Sequence, residues 1–488
     1  MKKILFITPP YHCGVVEVAG RWLPPQFLFL GASARRAGVE PVLYDAMGFW
    51  ADHDDIVAEM ENVNPDYVAT SAITATIPDA LRVLQNAKQL KPDVVTLLGG
   101  VHPTFMDREI LAEHGDSVDY VIRGEGEETL RELLECLEAG GDAKGVQGIS
   151  FRENGHVART LPRPLFEDLN TLDRAWDLID WTKDYTYYIF PGSRLAAINT
   201  SRGCNSECTF CSQQKFWARS WRARSPEDVL EEVEFLHTRF GVNVILLGDE
   251  YPTNDRARWE KLLDMLIERR FPIRFLMETR VEDIVRDADI MHKYREAGIV
   301  HVYIGVEATN QETLDYIHKD LKVETSKKAI DVLHRHGIVT ETSFILGFPD
   351  ETPESIRCTL ELSKWYNPDF AHFLAITPWP YADLYPQVRD HIAVTDYSKY
   401  NLIDPIIKPK WMTLEDIDRA MVSCYREFYH GKMKEVLTMG DAFKKDYILT
   451  SMKLIMRSSF IVEKMGNLME IPKQMAATMR QMAGATGA

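Results

Sequence analysis

Two successive runs of short apolar segments, each separated from the next by an amphipathic stretch, constrain this chain more than any other feature. The first run holds the strand candidates KILFIT (3–8), PVLYDA (41–46), DYVATSAI (66–73), VVTLLGG (94–100) and DYVIRG (119–124). Helical stretches such as PDALRVLQNAKQL (78–90) and EETLRELLECLEAG (127–140) lie between them. Apolar strands alternating with helices need cover on both faces, which a parallel sheet between two helix layers provides. Residues 1–150 are therefore read as a doubly wound, Rossmann-like α/β domain. The second run comprises LAAINTS (195–201), VNVILLGD (242–249), IRFLMET (273–279), HVYIGVEA (301–308), VTETSFILGF (339–348) and DFAHFLAITP (369–378). Six such βα units predict a partial or complete parallel (β/α)6 barrel over 191–385. Between the runs, 151–190 is rich in Pro, Asp and aromatics and reads as a packed connector; 386–488 reads as mostly helical, with repeated methionines. A chain of 488 residues is too long for one core, in keeping with this division.

Composition narrows the function classes. A net charge of −17, with no basic stripe to neutralise phosphates, argues against a general nucleic-acid binder. No apolar stretch approaches the length of a membrane span. MKKILFITPP is too short an apolar run for a signal-peptide core and reads as a first strand. Seven cysteines, an odd number, and 18 methionines fit a reducing compartment, so a cytoplasmic location is expected.

Three of those cysteines, Cys204, Cys208 and Cys211, fall in CNSECTFC just beyond LAAINTS, at the rim where barrel strands gather chemistry. Thiolates at this C-x3-C-x2-C spacing can hold three irons of a cubane cluster. The fourth iron is then left open to amino and carboxylate groups of a small molecule. A zinc site would want a fourth Cys or a His at close range, and the next histidine, His237, is 26 residues beyond Cys211. Zinc and coincidental clustering stay as the alternatives.

In the first run, TSAITATIP (70–78), LLGGVHPTF (97–105) and IRGEGEE (122–128) put small hydroxyl residues and paired glycines at strand ends, where backbone amides can approach a bulky ligand. Nucleotide binding is the alternative there, weakened because no G-x-G-x-x-G follows the first strand.

CNSECTFC, with Phe210 before its last cysteine, resembles the signature of the radical S-adenosylmethionine enzymes. The resemblance implies a 4Fe-4S cluster on Cys204, Cys208 and Cys211, with S-adenosyl-L-methionine on the open iron and a 5′-deoxyadenosyl radical from its cleavage. It further implies cofactor contacts from Phe210, from Asp249 and Glu250 (LLGDEY) to the methionine ammonium, from Arg280 (METR, after Glu278) to its carboxylate, and from Glu307 (GVEA) to the ribose. ILGFPDET resembles the family's adenine-side segment. An acidic residue at a strand end is ordinarily a helix cap or a solvated charge; recurrence at successive strand ends lifts the set.

Ahead of such a barrel, the first domain resembles a cobalamin-binding domain, which implies cobalamin contacts from Ser71, Thr74, Gly99, Gly100, Val101, His102, Gly124, Gly126 and Glu127. The family's Asp-x-His-x-x-Gly motif has its nearest counterpart in DAMGFW, where Asp45 is present and position 47 is Met, so no histidine is expected below the cobalt. His102 and His12 read as hydrogen-bonding loop histidines.

CSQQKFWARSWRARSPEDVLEEVEFL, HGIVTETSFILGF, ITPWPYADLY, KYNLIDPIIKPKWMT and PPYHCGVVEVAGRWLPPQF resemble one branch of the family, the oxygen-independent oxidative cyclases of bacteriochlorophyll synthesis. The branch implies a magnesium porphyrin ester as substrate, closure of the fifth ring with oxygen from water, and an external one-electron donor such as a flavodoxin or ferredoxin. Phe216, Trp217, Trp221, Trp379 and Tyr381 are candidates to line a macrocycle cleft, with ordinary core packing as their alternative. No side chain is assigned to the handling of water or protons. The rival readings are a cobalamin-dependent radical methyltransferase and, in another class, a cobalamin-binding redox sensor.

Overall fold

The computed structural model describes residues 1–11 and 19–457. His12, Cys13 and the methionine-rich tail beyond 457 lie outside the described residues. The first sheet contains β1 (Lys3–Ile7), β2 (Glu40–Tyr44), β3 (Tyr67–Ser71), β4 (Val95–Gly99), β5 (Tyr120–Ile122), β6 (Ile149–Glu153) and β7 (His156–Arg159). Their order is β2-β1-β3-β4-β5-β6-β7. The first five run parallel. Strand direction alternates side chains between faces, and each face has its own core. Leu5, Ile7, Val68, Leu98 and Val121 pack with Ile56, Met60, Leu84 and Leu111 of the helices on one side. Ile4, Phe6, Tyr67 and Leu97 pack with Phe27, Leu130 and Leu134 on the other. The order reverses between β1 and β3, which places the cleft at a topological switch point, where open α/β sheets bind ligands.

Strands β6 and β7 are antiparallel additions to this sheet. Read from sequence as the start of a connector, 151–159 thus belongs to the sheet, and the stretch without sheet pairing runs from about 160 to 194.

The second sheet opens with β8 (Leu195–Ile198), followed by a two-stranded antiparallel pair, β9 (Ser201–Arg202) and β10 (Arg222–Ala223). It continues with β11 (Val244–Leu247), β12 (Arg274–Thr279), β13 (Ile299–Glu307), β14 (Val339–Leu346) and β15 (Phe370–Ala375). β8 and β11–β15 run parallel in chain order, with β8 and β15 as the edges among the described residues: a partial (β/α)6 barrel. Outward residues such as Ile245, Phe275, Met277, Val306, Phe344 and Phe373 share the largest core with the surrounding helices. The barrel floor is plugged by Leu195, Val244, Leu276 and Phe370 together with Tyr187 and Tyr447.

The C-terminal region is mostly helical in its described part, as expected, with the helix concentrated beyond residue 413. Between β15 and residue 413 the chain is mostly irregular, folded around Ile376, Leu384, Tyr400 and Ile406. Long helices begin only at Leu414–Thr438 and Ala442–Arg457, the second of which supplies Tyr447 to the floor. Among the described residues no helix is long and apolar enough to cross a membrane.

Candidate active site

The cysteine loop leaves β9 through Gly203, whose φ of +90° and close approach to Ser220 exclude a side chain; a Cβ there would sit 2.2 Å from the Ser220 carbonyl oxygen. The loop is pinned from two sides. Thr209 N–H donates to the Ile317 carbonyl at 3.0 Å, and Leu384 N–H donates to the Thr209 carbonyl at 2.9 Å. Burial pushes the Cys208 thiol upward, countered by Lys319 and Arg280. Burial also pushes the Cys211 thiol up to about 12, against backbone N–H groups of Gln213 and Gln214 aimed at its sulfur. Iron replaces the thiol proton, so flanking cations and N–H donors suit a thiolate-held anionic cluster. Among the described residues no three His, Cys, Asp or Glu side chains converge as closely as a single metal ion requires.

The residues expected at strand ends divide into two groups. Asp249 points out of the lumen and is fully buried, accepting from Thr200 N–H (3.0 Å), Thr200 Oγ1 (2.9 Å) and Ser201 Oγ (2.5 Å). Its carboxylate fastens β11 to the β8–β9 turn, so the structure does not bring it to the cofactor face. Glu250 accepts from Gly203 N–H at 3.1 Å and from the Trp217 indole N–H at 2.8 Å, holding the base of the cysteine loop. Arg280 donates to Glu282 (2.8 Å), to the Asp320 carbonyl (3.0 Å) and to Ser206. With Asn205, Tyr251 and Lys319 it lines a cavity of about 790 Å³ against the cysteine loop. Glu307 has a φ of +64°, pairs with buried Lys319 at 3.2 Å and accepts from Ser343 Oγ at 3.3 Å. Gly305 makes room for it: a Cβ there would lie 2.4 Å from Glu307 Oε1. Phe210 packs beside the Ile376–Leu384 cluster.

The cobalamin-side residues meet at the carboxyl ends of β3, β4 and β5, facing the barrel. Gly100, with φ +101°, follows β4 so closely against β3 that a Cβ would lie 2.5 Å from the Ala72 carbonyl oxygen and 2.8 Å from Ser71 Oγ. Gly99 precedes it at the end of β4, and buried Val101 starts the helix Val101–His114. Thr74 is buried and shares hydrogen bonds with Tyr381 OH (3.2 Å) and His102 Nδ1 (3.1 Å). His102 also meets the Tyr381 and Tyr397 rings edge-on, and burial alone lowers its pKa to about 4, leaving it neutral. Gly124 donates its N–H to Thr104 Oγ1 at 3.0 Å, and Gly126 leads into the helix Glu127–Glu138. Glu127 does not face the cleft as a ligand group: it accepts from Arg202 at 2.6 Å, while Glu125 accepts from Arg202 (2.8 Å) and Arg222 (2.9 Å). Asp45 is taken up by Thr8, Tyr185 and Gly48 N–H.

Of the candidate aromatics, Trp217 and Trp221 spend their indole N–H groups on Glu250 and on the Tyr251 carbonyl. Phe216 meets Trp217 edge-on with centroids 4.7 Å apart. Tyr381 stacks on Phe105 at 4.9 Å across the domain boundary, and Trp379 packs on the cluster that holds Phe210.

Sequence reasoning passed over the residues facing the lumen between these strands. Alternation along β12–β15 turns Glu278, Tyr303, Ser343 and His372 inward. Deeper lies Glu341, 2.8 Å from His301 Nε2 and hydrogen-bonded to His372, with His301 Nδ1 2.7 Å from Tyr447 OH.

A thiol triplet at the rim of a partial barrel, facing the switch point of a doubly wound domain, is the layout of an enzyme that joins two cofactors over one substrate. Residues 198–363 match the radical SAM superfamily, and residues 11–134 match the B12 binding domain. The chain belongs to the cobalamin-dependent radical S-adenosylmethionine family and uses a 4Fe-4S cluster, S-adenosyl-L-methionine and cobalamin. It is 36% identical over 466 residues to the anaerobic magnesium-protoporphyrin IX monomethyl ester cyclase of Cereibacter sphaeroides, covering 93% of this chain and 75% of that one. It is 31% identical over 430 residues to an uncharacterised methyltransferase of Pyrococcus horikoshii, covering 88% and 92% of the two chains. The solved structure of OxsB, with aqua-cobalamin and S-adenosylmethionine bound, shares the fold at a TM-score of 0.69 and 16% identity, over 93% of this chain and 71% of that one.

Proposed function

We propose that this chain is an oxygen-independent oxidative cyclase. It would form the fifth ring of bacteriochlorophyll from magnesium-protoporphyrin IX 13-monomethyl ester, with water as the oxygen source. The observation that carries the reading is the likeness to the Cereibacter sphaeroides cyclase over nearly the whole chain. One-electron cleavage of S-adenosylmethionine at the cluster supplies hydrogen abstraction from an unactivated carbon, with cobalamin as redox partner.

The chain's own groups divide the remaining work. Cys204, Cys208 and Cys211 hold iron, and Lys319 and Arg280 offset the charge gathered beside Cys208. Glu250 fixes the loop through Gly203, and its remaining acceptor capacity would serve the methionine ammonium. Glu307, held over Gly305 by Lys319, would accept from the ribose hydroxyls. The faces of Trp217, Trp221, Trp379 and Tyr381 contact the macrocycle, because their polar tips, where already paired, do not compete with the flat apolar surface. Ser71, Thr74 and the glycines after β4 and β5 offer backbone and hydroxyl groups to cobalamin. A flavodoxin or ferredoxin delivers the electron.

The test is anaerobic incubation of reconstituted protein with the magnesium porphyrin ester, followed by product mass. Gain of oxygen from labelled water with loss of hydrogen supports the cyclase. A second reading, methyl transfer, is favoured by the methyltransferase relative, and a product heavier by a CH2 unit would establish it instead.

A further inference from the structure

The lumen is ringed by carboxylates from three successive strand ends and the floor, and all but one are already engaged. Glu250 is held by Gly203 and Trp217, Glu307 by Lys319 and Ser343, and Glu341 by His301 and His372, while Asp249, on the outer side of β11, is held by Thr200 and Ser201. Glu278 has no hydrogen bond or ion pair among the described residues, yet it projects from the middle of the barrel on the inward face of β12. Its side chain is exposed while the outward neighbours Met277 and Thr279 are buried, so the exposure is to the lumen itself.

A second observation concerns what surrounds it. Beside it on β13 stands Tyr303, its register partner, whose hydroxyl shares a 2.5 Å hydrogen bond with Ser343 Oγ, and next to Tyr303 on β14 is the Glu341 carboxylate with its two histidines. Glu250 faces it from the β11 side, with the charge of Asp249 behind on the outer side of that strand, and Glu307 from β13; Arg280, just past the end of β12, is turned to Ser206, Glu282 and Asp320. Enclosure by protein, and then Glu250, Asp249, Glu307 and Glu341 in that order, push the Glu278 carboxyl up to about 8. A carboxyl poised there exchanges protons near neutrality, as a general base must.

The proposed reaction needs such a group. For each hydroxyl installed, a C–H bond, S-adenosylmethionine and water give C–OH, 5′-deoxyadenosine, methionine and a proton. The C–H hydrogen leaves on 5′-deoxyadenosine, and the electron spent on cleavage is returned when the carbon is oxidised. The proton comes from water and must be taken up inside the barrel. Methyl transfer through cobalamin has no such requirement, since a methyl group replaces hydrogen without addition of water.

We propose that Glu278 is the catalytic base of the lumen, accepting the proton of the water that adds to the substrate side chain. This rests on the cyclase reading. The histidine-bound Glu341 acts as a positioning residue, fixing a negative charge two strands along from Glu278.

The experiment compares wild-type, Glu278→Gln and Glu278→Asp holoenzymes across pH 6 to 9, measuring 5′-deoxyadenosine and oxygenated product separately. The expected result for Glu278→Gln is retained 5′-deoxyadenosine formation, with the ratio of product to 5′-deoxyadenosine down about a hundredfold. In the wild type that ratio should rise with pH through about 8, as the acceptor form is populated, and Glu278→Asp should recover part of it. In cofactor-free protein, the infrared band of a protonated carboxyl should disappear over the same pH range in the wild type and be missing in Glu278→Gln, whose circular dichroism verifies folding. A Glu278→Gln enzyme that couples as well as the wild type, while the wild type closes the ring, overturns the assignment of Glu278 alone. A wild type that only methylates overturns the cyclase reading and this inference with it.

Discussion

Arg202 and Glu127 bind each other at 2.6 Å across the domain boundary, one residue before the cysteine loop begins. Arg202 also donates to Glu125 at 2.8 Å and lies over the Phe29 ring at 4.8 Å from its centroid. Phe29, the Glu125–Glu127 turn and Arg202 are widely separated in the sequence, so the pair couples the position of the iron site to the first helix layer of the cobalamin domain.

Truncating Arg202 to Met should therefore do more than remove a contact. It leaves Glu127 buried without its cation, while Glu125 keeps Arg222. Breaking one side of a buried pair costs about 3 kcal/mol. Denaturant unfolding should show that loss, and the replacement Arg202→Met with Glu127→Gln should recover part of it.

Gly203→Ala tests the loop itself. The added methyl meets the Ser220 carbonyl at 2.2 Å and Trp217 Cβ at 3.0 Å, in a backbone region that side chains disfavour. Iron bound per chain should fall severalfold, while cobalamin retention by the first domain stays at the wild-type level. Equal iron content would show that the loop adapts.

Glu250→Ala should reduce both S-adenosylmethionine affinity and cluster stability, because the same carboxylate accepts from Gly203 and Trp217. Glu250→Gln keeps one acceptor oxygen and should preserve the cluster absorbance while still weakening cofactor binding. Calorimetry and visible spectra on the anaerobic protein separate the two effects. Cys208→Ala should abolish cluster absorbance and 5′-deoxyadenosine formation together.

The strand candidates of both runs were legible because apolar runs bounded by glycine and acidic residues mark parallel strands. The hairpin of β6 and β7 also carries a sequence signal. Asn154 and Gly155 both have positive φ, 50° and 80°, the signature of the two-residue turn that Asn-Gly favours. The flanking ISFRE and HVAR are short and partly polar, so their composition is that of a connector as much as of a strand pair. Asp249 could also have been excluded from the lumen by alternation alone: if Gly248 faces inward at the end of β11, its neighbour faces out. The same rule turns Glu278 inward. The cluster of His301, Glu341 and His372 was not legible, since it depends on the register between β13, β14 and β15, which no single strand encodes. Glu127 looked like a ligand at a glycine-rich strand end; only the tertiary arrival of Arg202 shows that its charge is spent.

His102 offers a pH test confined to the cobalamin side. Burial lowers its pKa from an ordinary 6.5 to about 4, so the folded chain keeps it neutral while the unfolded chain protonates it first. Between pH 6.5 and 4 the unfolded state thus holds more protons, and by linkage folding stability falls as pH falls through that window. Above pH 6.5 the residue contributes no slope. Replacing it with Asn, which can still bond Thr74 Oγ1, removes the titrating group and should flatten the acid limb of the wild-type stability curve in that window. Denaturant midpoints of the two cofactor-free proteins from pH 4 to 8 make the comparison, and parallel curves would mean that His102 protonates in the fold without penalty. Tyr381→Phe serves as the control from the other side of the boundary. It removes the hydroxyl shared with Thr74 at about 1 kcal/mol, keeps the ring on Phe105, and should lower stability equally at every pH in the series.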